Sequence, residues 1–344
     1  MKKYNFIGKL FVIAFIALVA TSAAEAKNRK FGLFVGINAY TGGISPLRGC
    51  VNDATKMREA MMTKFGFKAA DTTLLTDTGA TRDAILTNLN KYATQAGPGD
   101  IVVFHYSGHG TLFPDGRSEE QDETKLIYVE TPDETGKMEV LYPRGKYDSA
   151  IVPVDARLKT SGKAWRNLIL DDELYAIFGG ITRKGAQVVL ISDSCHSGSI
   201  DRAKTSEEAI PRAESLATVF GVRRFSELDL DGAVEARTTR TPPPAKGLYL
   251  ALTGSKDDEF SLDANIKGVP MGLFTATFLE EVNKLPAPTA RKPITKSYQD
   301  IMVVVSKNVA EQAKKWENNQ NPQLNFEYGN PKMALFSVPS AKSR

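Results

Sequence analysis

The sequence predicts an α/β fold: a mostly parallel central sheet with helices on both faces. Three observations point there. The runs Lys30–Asn38, Ile101–Tyr106 (IVVFHY) and Gln187–Ser192 (QVVLIS) are near-continuously apolar, as strands covered on both faces are. Segments with helical apolar spacing lie between them, so strand and helix alternate along the chain. The 344 residues are 42% hydrophobic, enough for the core of one large domain or two small ones.

The amino terminus is set apart from this pattern. Lys2, Lys3 and Lys9 precede or open an apolar run from Leu10 to Ala20, and Ala24-Glu25-Ala26 follows with small residues at the positions a signal peptidase reads. A spanning helix needs roughly 20 apolar residues, about twice this run, so a cleaved signal over 1–26 fits better than an anchor. The mature chain is expected to begin near Lys27 as an exported, periplasmic or secreted protein, with no stable membrane insertion.

Asn52–Phe65 has helical spacing after an Asn/Asp start suited to an N-cap. Thr72–Thr76 reads as a strand and Arg82–Thr94 as a helix. Ile101–Tyr106 is stopped by Ser107-Gly108-His109-Gly110. Asp171–Phe178 reads as a short helix. Gln187–Ser192 ends in Asp193-Ser194-Cys195-His196-Ser197-Gly198. Gly247–Leu252 is a further strand, Leu273–Lys284 and Tyr298–Trp316 are helices, and Lys332–Val338 is the candidate last strand. Two stretches break the rhythm. Residues 111–150 are polar and acidic, with a hairpin expected from Lys125–Glu130 and Met138–Tyr142. Residues 199–246 hold eight Lys/Arg positions and end in three prolines, the composition of an exposed, mobile linker.

Charge excludes some functions. Without residues 1–26 the formal net charge falls from +4 to +2, which leaves no basic face for nucleic acid. No dinucleotide fingerprint or phosphate-binding loop is present. In an oxidising compartment, Cys50 and Cys195 read either as one disulfide or as two free thiols, and composition does not choose.

Local context bears on the chemistry. Ligand sites in open parallel sheets lie beyond the carboxyl ends of strands. His109 stands just past one apolar strand and Cys195 just past another; if the strands are neighbours, both side chains reach one crevice. A thiol attacks as thiolate, so a nearby imidazole must take its proton. The glycines around His109 and Gly198 allow backbone to approach a reacting carbonyl, and the amides of Gly110 and Cys195 are candidates for an oxyanion hole. His105, inside its strand, reads as a packed, hydrogen-bonded core histidine, and His196 diverges from its neighbour Cys195. The His105/His109 spacing matches a helical zinc pair, but strand and glycine context spoils that geometry.

HYSGHG and DSCHSG resemble the histidine and cysteine boxes of metacaspases, the caspase relatives of bacteria, plants, fungi and protozoa. The resemblance runs from about Lys30 to Val338 and includes FVGINAY, LRGCVNDA, IVPVDA, DDEL, SKDDE and QNPQL. It implies a caspase-like fold in an exported bacterial member, with a peptidase domain over 27–338, a tail at 339–344, His109 as base and Cys195 as nucleophile. It implies cleavage after Arg or Lys, with Asp193, Asp53, Cys50 and Ser107 matching residues that line the first specificity pocket. Two carboxylates accept a guanidinium well; capping of the helix after Cys50 is the other reading of Asp53. Cys50 then becomes a pocket-lining thiol, and a Cys50–Cys195 bond would act as an off-switch.

The chemistry requires no cofactor, but many metacaspases use calcium. Glu119, Glu120, Asp122, Glu123 and Asp148 are the acidic candidates, in a stretch that departs from the family's Asp-rich spacing and also reads as a solvated loop. Self-cleavage is expected within 199–246, where Arg223, Arg224, Arg237, Arg240 and Lys246 suit the specificity. A catalytically silent binding module and a thiol transpeptidase are the competing functions.

Overall fold

The computed structural model describes residues 28–41, 44–114, 126–129, 140–143, 147–156, 167–195, 208–213, 247–256, 259–286, 293–328 and 330–337. The apolar runs form the centre of a six-stranded sheet. Its strands are β1 (Lys30–Gly36), β2 (Thr72–Thr76), β3 (Ile101–Ser107), β9 (Gln187–Asp193), β11 (Tyr249–Thr253) and β14 (Gln323–Tyr328), in the order β14-β11-β9-β3-β1-β2. All pairings are parallel except β11 with β14. Every residue of β3 is buried, which explains why that run does not alternate.

Helices cover both faces. Helix α2 (Arg82–Gln95) and helix α3 (Asp171–Arg183) pack Ile85, Leu89, Leu174, Phe178 and Ile181 on one face. Helix α1 (Cys50–Phe65), helix α4 (Leu273–Asn283) and helix α5 (Tyr298–Ala313) pack Met57, Met61, Phe274, Phe278, Met302 and Val305 on the other. This is the expected mostly parallel α/β architecture.

Smaller units sit around this frame. Strands β4 (Gly110–Pro114), β7 (Tyr147–Ile151) and β8 (Ile169–Leu170) form one antiparallel sheet, and β5 (Leu126–Val129) pairs with β6 (Val140–Pro143) as the expected hairpin. Strands β10 (Ala209–Pro211), β12 (Leu262–Ile266) and β13 (Val269–Gly272) form another.

Three expectations are corrected. Helix α1 begins at Cys50, not Asn52: Gly49 is its N-cap, and the Asn38 side chain accepts from the Cys50 amide at 2.8 Å. The last strand is β14, not Lys332–Val338. Leu335 and Phe336 are buried against Phe65, Phe67 and Tyr298, and Phe336 has φ 48°, a turn conformation that a strand does not allow. Within the expected exposed linker, residues 209–213 are largely buried, and 209–211 form a strand. No helix among the described residues is long and apolar enough to cross a membrane.

Candidate active site

Strands β3 and β9 are adjacent, and Ser107 pairs with Asp193 at their carboxyl ends. Two residues beyond each lie His109 and Cys195, at one edge of the sheet. Backbone packing fixes the histidine. The His109 amide donates to the Tyr40 hydroxyl at 2.9 Å, and its carbonyl accepts from the Tyr106 hydroxyl at 2.6 Å. A Cβ on Gly108 would stand 2.6 Å from both hydroxyls, so only glycine lets the chain turn there. His109 Nε2 lies 2.8 Å from the Ser45 carbonyl. A carbonyl can only accept, so Nε2 carries the hydrogen and Nδ1 is the basic atom of the neutral ring.

One carbonyl joins the two sides of this edge. The amides of Gly110 and Cys195 donate to the Arg212 carbonyl at 3.1 and 3.2 Å. These are the two amides expected to form an oxyanion hole, and what they hold is a peptide carbonyl of the chain itself. Cys195 is buried beneath this segment, in a small cluster with Ala213 and Phe260, and its sulfur lies against the amide and carbonyl of Ser261. Burial pushes the Cys195 thiol up to about 12. In this arrangement Cys195 is a neutral thiol. Burial also raises the Cys50 thiol well above its ordinary range. Both cysteines are free thiols in this structure.

The Arg212 side chain fills the pocket. Its guanidinium is fully buried and donates to Asp53 Oδ2 at 2.7 Å and to Ser107 Oγ at 2.7 Å, with Asp193 Oδ2 at 3.4 Å. Ser107 Oγ in turn donates to Asp53 at 2.7 Å. Cys50 lies close enough for its ionisation and that of Arg212 to influence each other. All four expected pocket residues therefore gather around one guanidinium. Asp53 does not cap its helix by side chain; it accepts from Arg212, Ser107 and the Gly272 amide at 3.0 Å. Burial raises the Asp53 carboxyl to about 7, against the opposing pull of Arg212. Burial disfavours the Arg212 charge, but the surrounding anionic groups outweigh it and raise its pKa well above the ordinary value.

Several residues that build the pocket carry no local signal in the sequence. Asp193 Oδ2 accepts from the Thr275 amide at 2.9 Å and hydroxyl at 2.6 Å, in the first turn of α4, and Oδ1 accepts from Ser261 Oγ. Asp263 accepts from the amides of Arg48 and Gly49 at 2.6 and 3.0 Å and adds a third buried carboxylate beside Arg212. Gly272 lines the guanidinium so closely that a Cβ there would meet Asp193 Oδ2 at 2.1 Å and Arg212 Nη1 at 2.4 Å. Arg212 itself had been one basic residue among eight in the linker.

Other candidates separate from the site. His105 is buried with neither ring nitrogen hydrogen-bonded, and burial lowers its pKa to about 3. It is a neutral core imidazole, packed as expected but without the expected hydrogen bond. His196, Gly198, Arg223, Arg224, Arg237, Arg240 and Lys246 lie outside the described residues, as do Glu119, Glu120, Asp122 and Glu123. Asp148 falls in β7, with its side chain outside the description. Among the described residues no cluster of three or more His, Cys, Asp or Glu could hold a metal.

A cysteine and a histidine at the carboxyl edge of a parallel sheet, beside an acidic pocket, are the groups that thiol acyl transfer requires. The caspase-domain family model matches residues 29–329. The chain belongs to the caspase-domain family, a family of cysteine-type peptidases, and it is metacaspase-like within it. It is 34% identical over 222 residues to Metacaspase-4 of Arabidopsis thaliana, covering 60% of this chain and 45% of that protein. It is 30% identical over 295 residues to Metacaspase-1A of Aspergillus fumigatus, covering 76% of this chain and 63% of that protein. The matches thus span less than two thirds of either relative. A crystal structure of a Geobacter sulfurreducens protein superposes with a TM-score of 0.61 at 22% identity, covering 91% of this chain and all of the other, a likeness of fold.

Proposed function

We propose that this protein is a cysteine endopeptidase that cleaves after arginine, and less efficiently after lysine, with Cys195 as nucleophile and His109 as base. Its first substrate is its own Arg212–Ala213 bond. One observation carries the reading: the Arg212 carbonyl lies between the Gly110 and Cys195 amides while its guanidinium occupies the pocket of Asp53, Ser107 and Asp193.

The proposed steps start from that placement. Nδ1 of His109 takes the Cys195 proton as sulfur attacks the Arg212 carbonyl carbon, and the two amides stabilise the developing oxyanion. Collapse breaks the bond to the Ala213 nitrogen, which leaves with the proton from His109. Water then attacks the thioester, giving the Arg212 carboxylate and restoring the thiol. The high pKa of buried Cys195 fits a concerted proton transfer within the filled site. Arginine is preferred because its planar fork reaches Asp53, Ser107 and Asp193 together, whereas a lysine ammonium is a single point charge on a shorter stem.

Residues 1–26 make this an exported enzyme under the same proposal, tested by whether secreted material begins at Lys27. The catalytic steps use no metal; self-cleavage timed with calcium and with a chelator tests whether the acidic segment adds an ion requirement. The direct test of the activity uses wild type and Cys195→Ala with matched fluorogenic peptides ending in Arg, Lys or Asp. Release from Arg above Lys, none from Asp, and none by the variant supports the reading. Equal release by the variant overturns it.

A further inference from the structure

We propose that residues 209–212 are the template for the enzyme's other substrates, so that its subsites select a small residue, a less closely held residue, proline and then arginine before the cut bond. The proposal rests on the function above and extends it from one pocket to four.

The segment is bound as an added strand. Strand β10 pairs antiparallel with β12, with Ala209 opposite Ala264, Ile210 opposite Asp263 and Pro211 opposite Leu262. The Arg212 amide donates to the Ser261 carbonyl at 2.9 Å, and the Asn265 amide donates to the Glu208 carbonyl at 2.9 Å. Arg212/Ser261 and Glu208/Asn265 are therefore hydrogen-bonded pairs. In an antiparallel ladder these alternate with pairs that exchange no bonds, which places Pro211/Leu262 and Ala209/Ala264 in the second class. The nitrogen of residue 211 then faces away from β12, and proline there forfeits no ladder bond. The Leu262 amide is satisfied elsewhere, by Gln320 Oε1 at 3.2 Å.

Side-chain burial follows the same alternation. Pro211 is buried, and Leu262 opposite it is fully buried; side chains approach most closely in a pair without hydrogen bonds. Ala209 is fully buried opposite Ala264, itself buried, so a larger residue has no room without displacing the strand. Ile210 is only half-buried and, although it touches the apolar core, is the least enclosed of the three. Proline contributes a second way, because its fixed φ pre-orders an extended peptide and less chain entropy is lost on binding.

Two measurements test the inference, one of them independent of catalysis. In the Cys195→Ala chain, limited trypsin digestion followed by mass spectrometry reports whether Arg212 is seated, since a buried Arg212 is protected. We expect Ala209→Trp to speed cutting at Arg212–Ala213 by at least about tenfold, Pro211→Gly to speed it by about threefold, and Ile210→Gln to leave it within about twofold. Equal sensitivity at the three positions, or none at any, overturns the template. With self-processed wild type, the kcat/KM of Ala-Ile-Pro-Arg peptides should fall by at least about tenfold on replacing alanine with tryptophan and severalfold on replacing proline with glycine. Cleavage of all these peptides at one rate overturns the subsites and leaves the peptidase reading intact. Cleavage of none, with the trypsin pattern as expected, overturns the peptidase reading and leaves the subsites standing.

Discussion

The two halves of the site are built differently. The edge of His109, Gly110 and Cys195 is held by main chain: amides and carbonyls at the ends of two neighbouring parallel strands, locked by Tyr40 and Tyr106. The pocket is held by side chains from remote parts of the sequence. Asp53 comes from α1, Ser107 and Asp193 from strand ends, and their supports Thr275 and Ser261 from α4 and the approach to β12. The difference implies a division of labour. Damage to the edge should remove chemistry and leave seating intact, whereas damage to the pocket should loosen seating and blur specificity.

The largest effect belongs to the edge. Cys195→Ala should abolish self-cleavage and peptide hydrolysis, a loss of about 10⁴-fold or more, while Arg212 stays protected from trypsin. Loss of that protection would show the two halves to be inseparable. Next is the pocket. Asp193→Asn or Asp53→Asn removes one anionic partner of a buried guanidinium, an interaction whose loss costs about 3–5 kcal/mol. The expected result is a fall of about 10²-fold or more in kcat/KM for Arg peptides, measured with the processed enzyme, together with trypsin access to Arg212 in the Cys195→Ala background.

Gly272→Ala sharpens the comparison by changing shape without changing charge. Its new methyl would collide with Asp193 Oδ2 and with the guanidinium position, so Arg peptides should lose about tenfold or more while shorter Lys peptides lose less, narrowing the preference. The smallest effect is in pH. The Asp53 carboxyl is raised to about 7, chiefly by burial, and only its ionised form attracts the guanidinium. A proton therefore competes with arginine, and kcat/KM for Arg peptides should rise as pH increases through the ionisation of Asp53 in the empty pocket. In Asp53→Asn that limb should vanish; its persistence would assign the titration to another group.

The same contrast governs what could be read from the sequence. The edge was legible because β3 and β9 are near-continuously apolar runs stopped by polar and glycine-rich turns, which places His109 and Cys195 beyond strand ends before any partner is known. The pocket residues came only with the metacaspase resemblance, since nothing local to Asp53 or Asp193 says that they meet. Strands β10, β12 and β13 were missed because AIP, LDANI and VPMG are too short and mixed for periodicity and exist only through pairing with each other. Arg212 was hidden by composition: eight basic residues in 199–246 look alike until one is found with its charge buried. The Met333–Phe336 run drew the last strand too late because its apolar residues plug the core from a turn.

The most direct test of the account is intact mass spectrometry of the freshly made chain from Lys27, followed over time at several dilutions, beside Cys195→Ala. The account predicts a first cut between Arg212 and Ala213, at a rate independent of concentration because the bond is already seated in its own site, and no cut in the variant. A first cut at another bond, or the same fragments from Cys195→Ala, would contradict it.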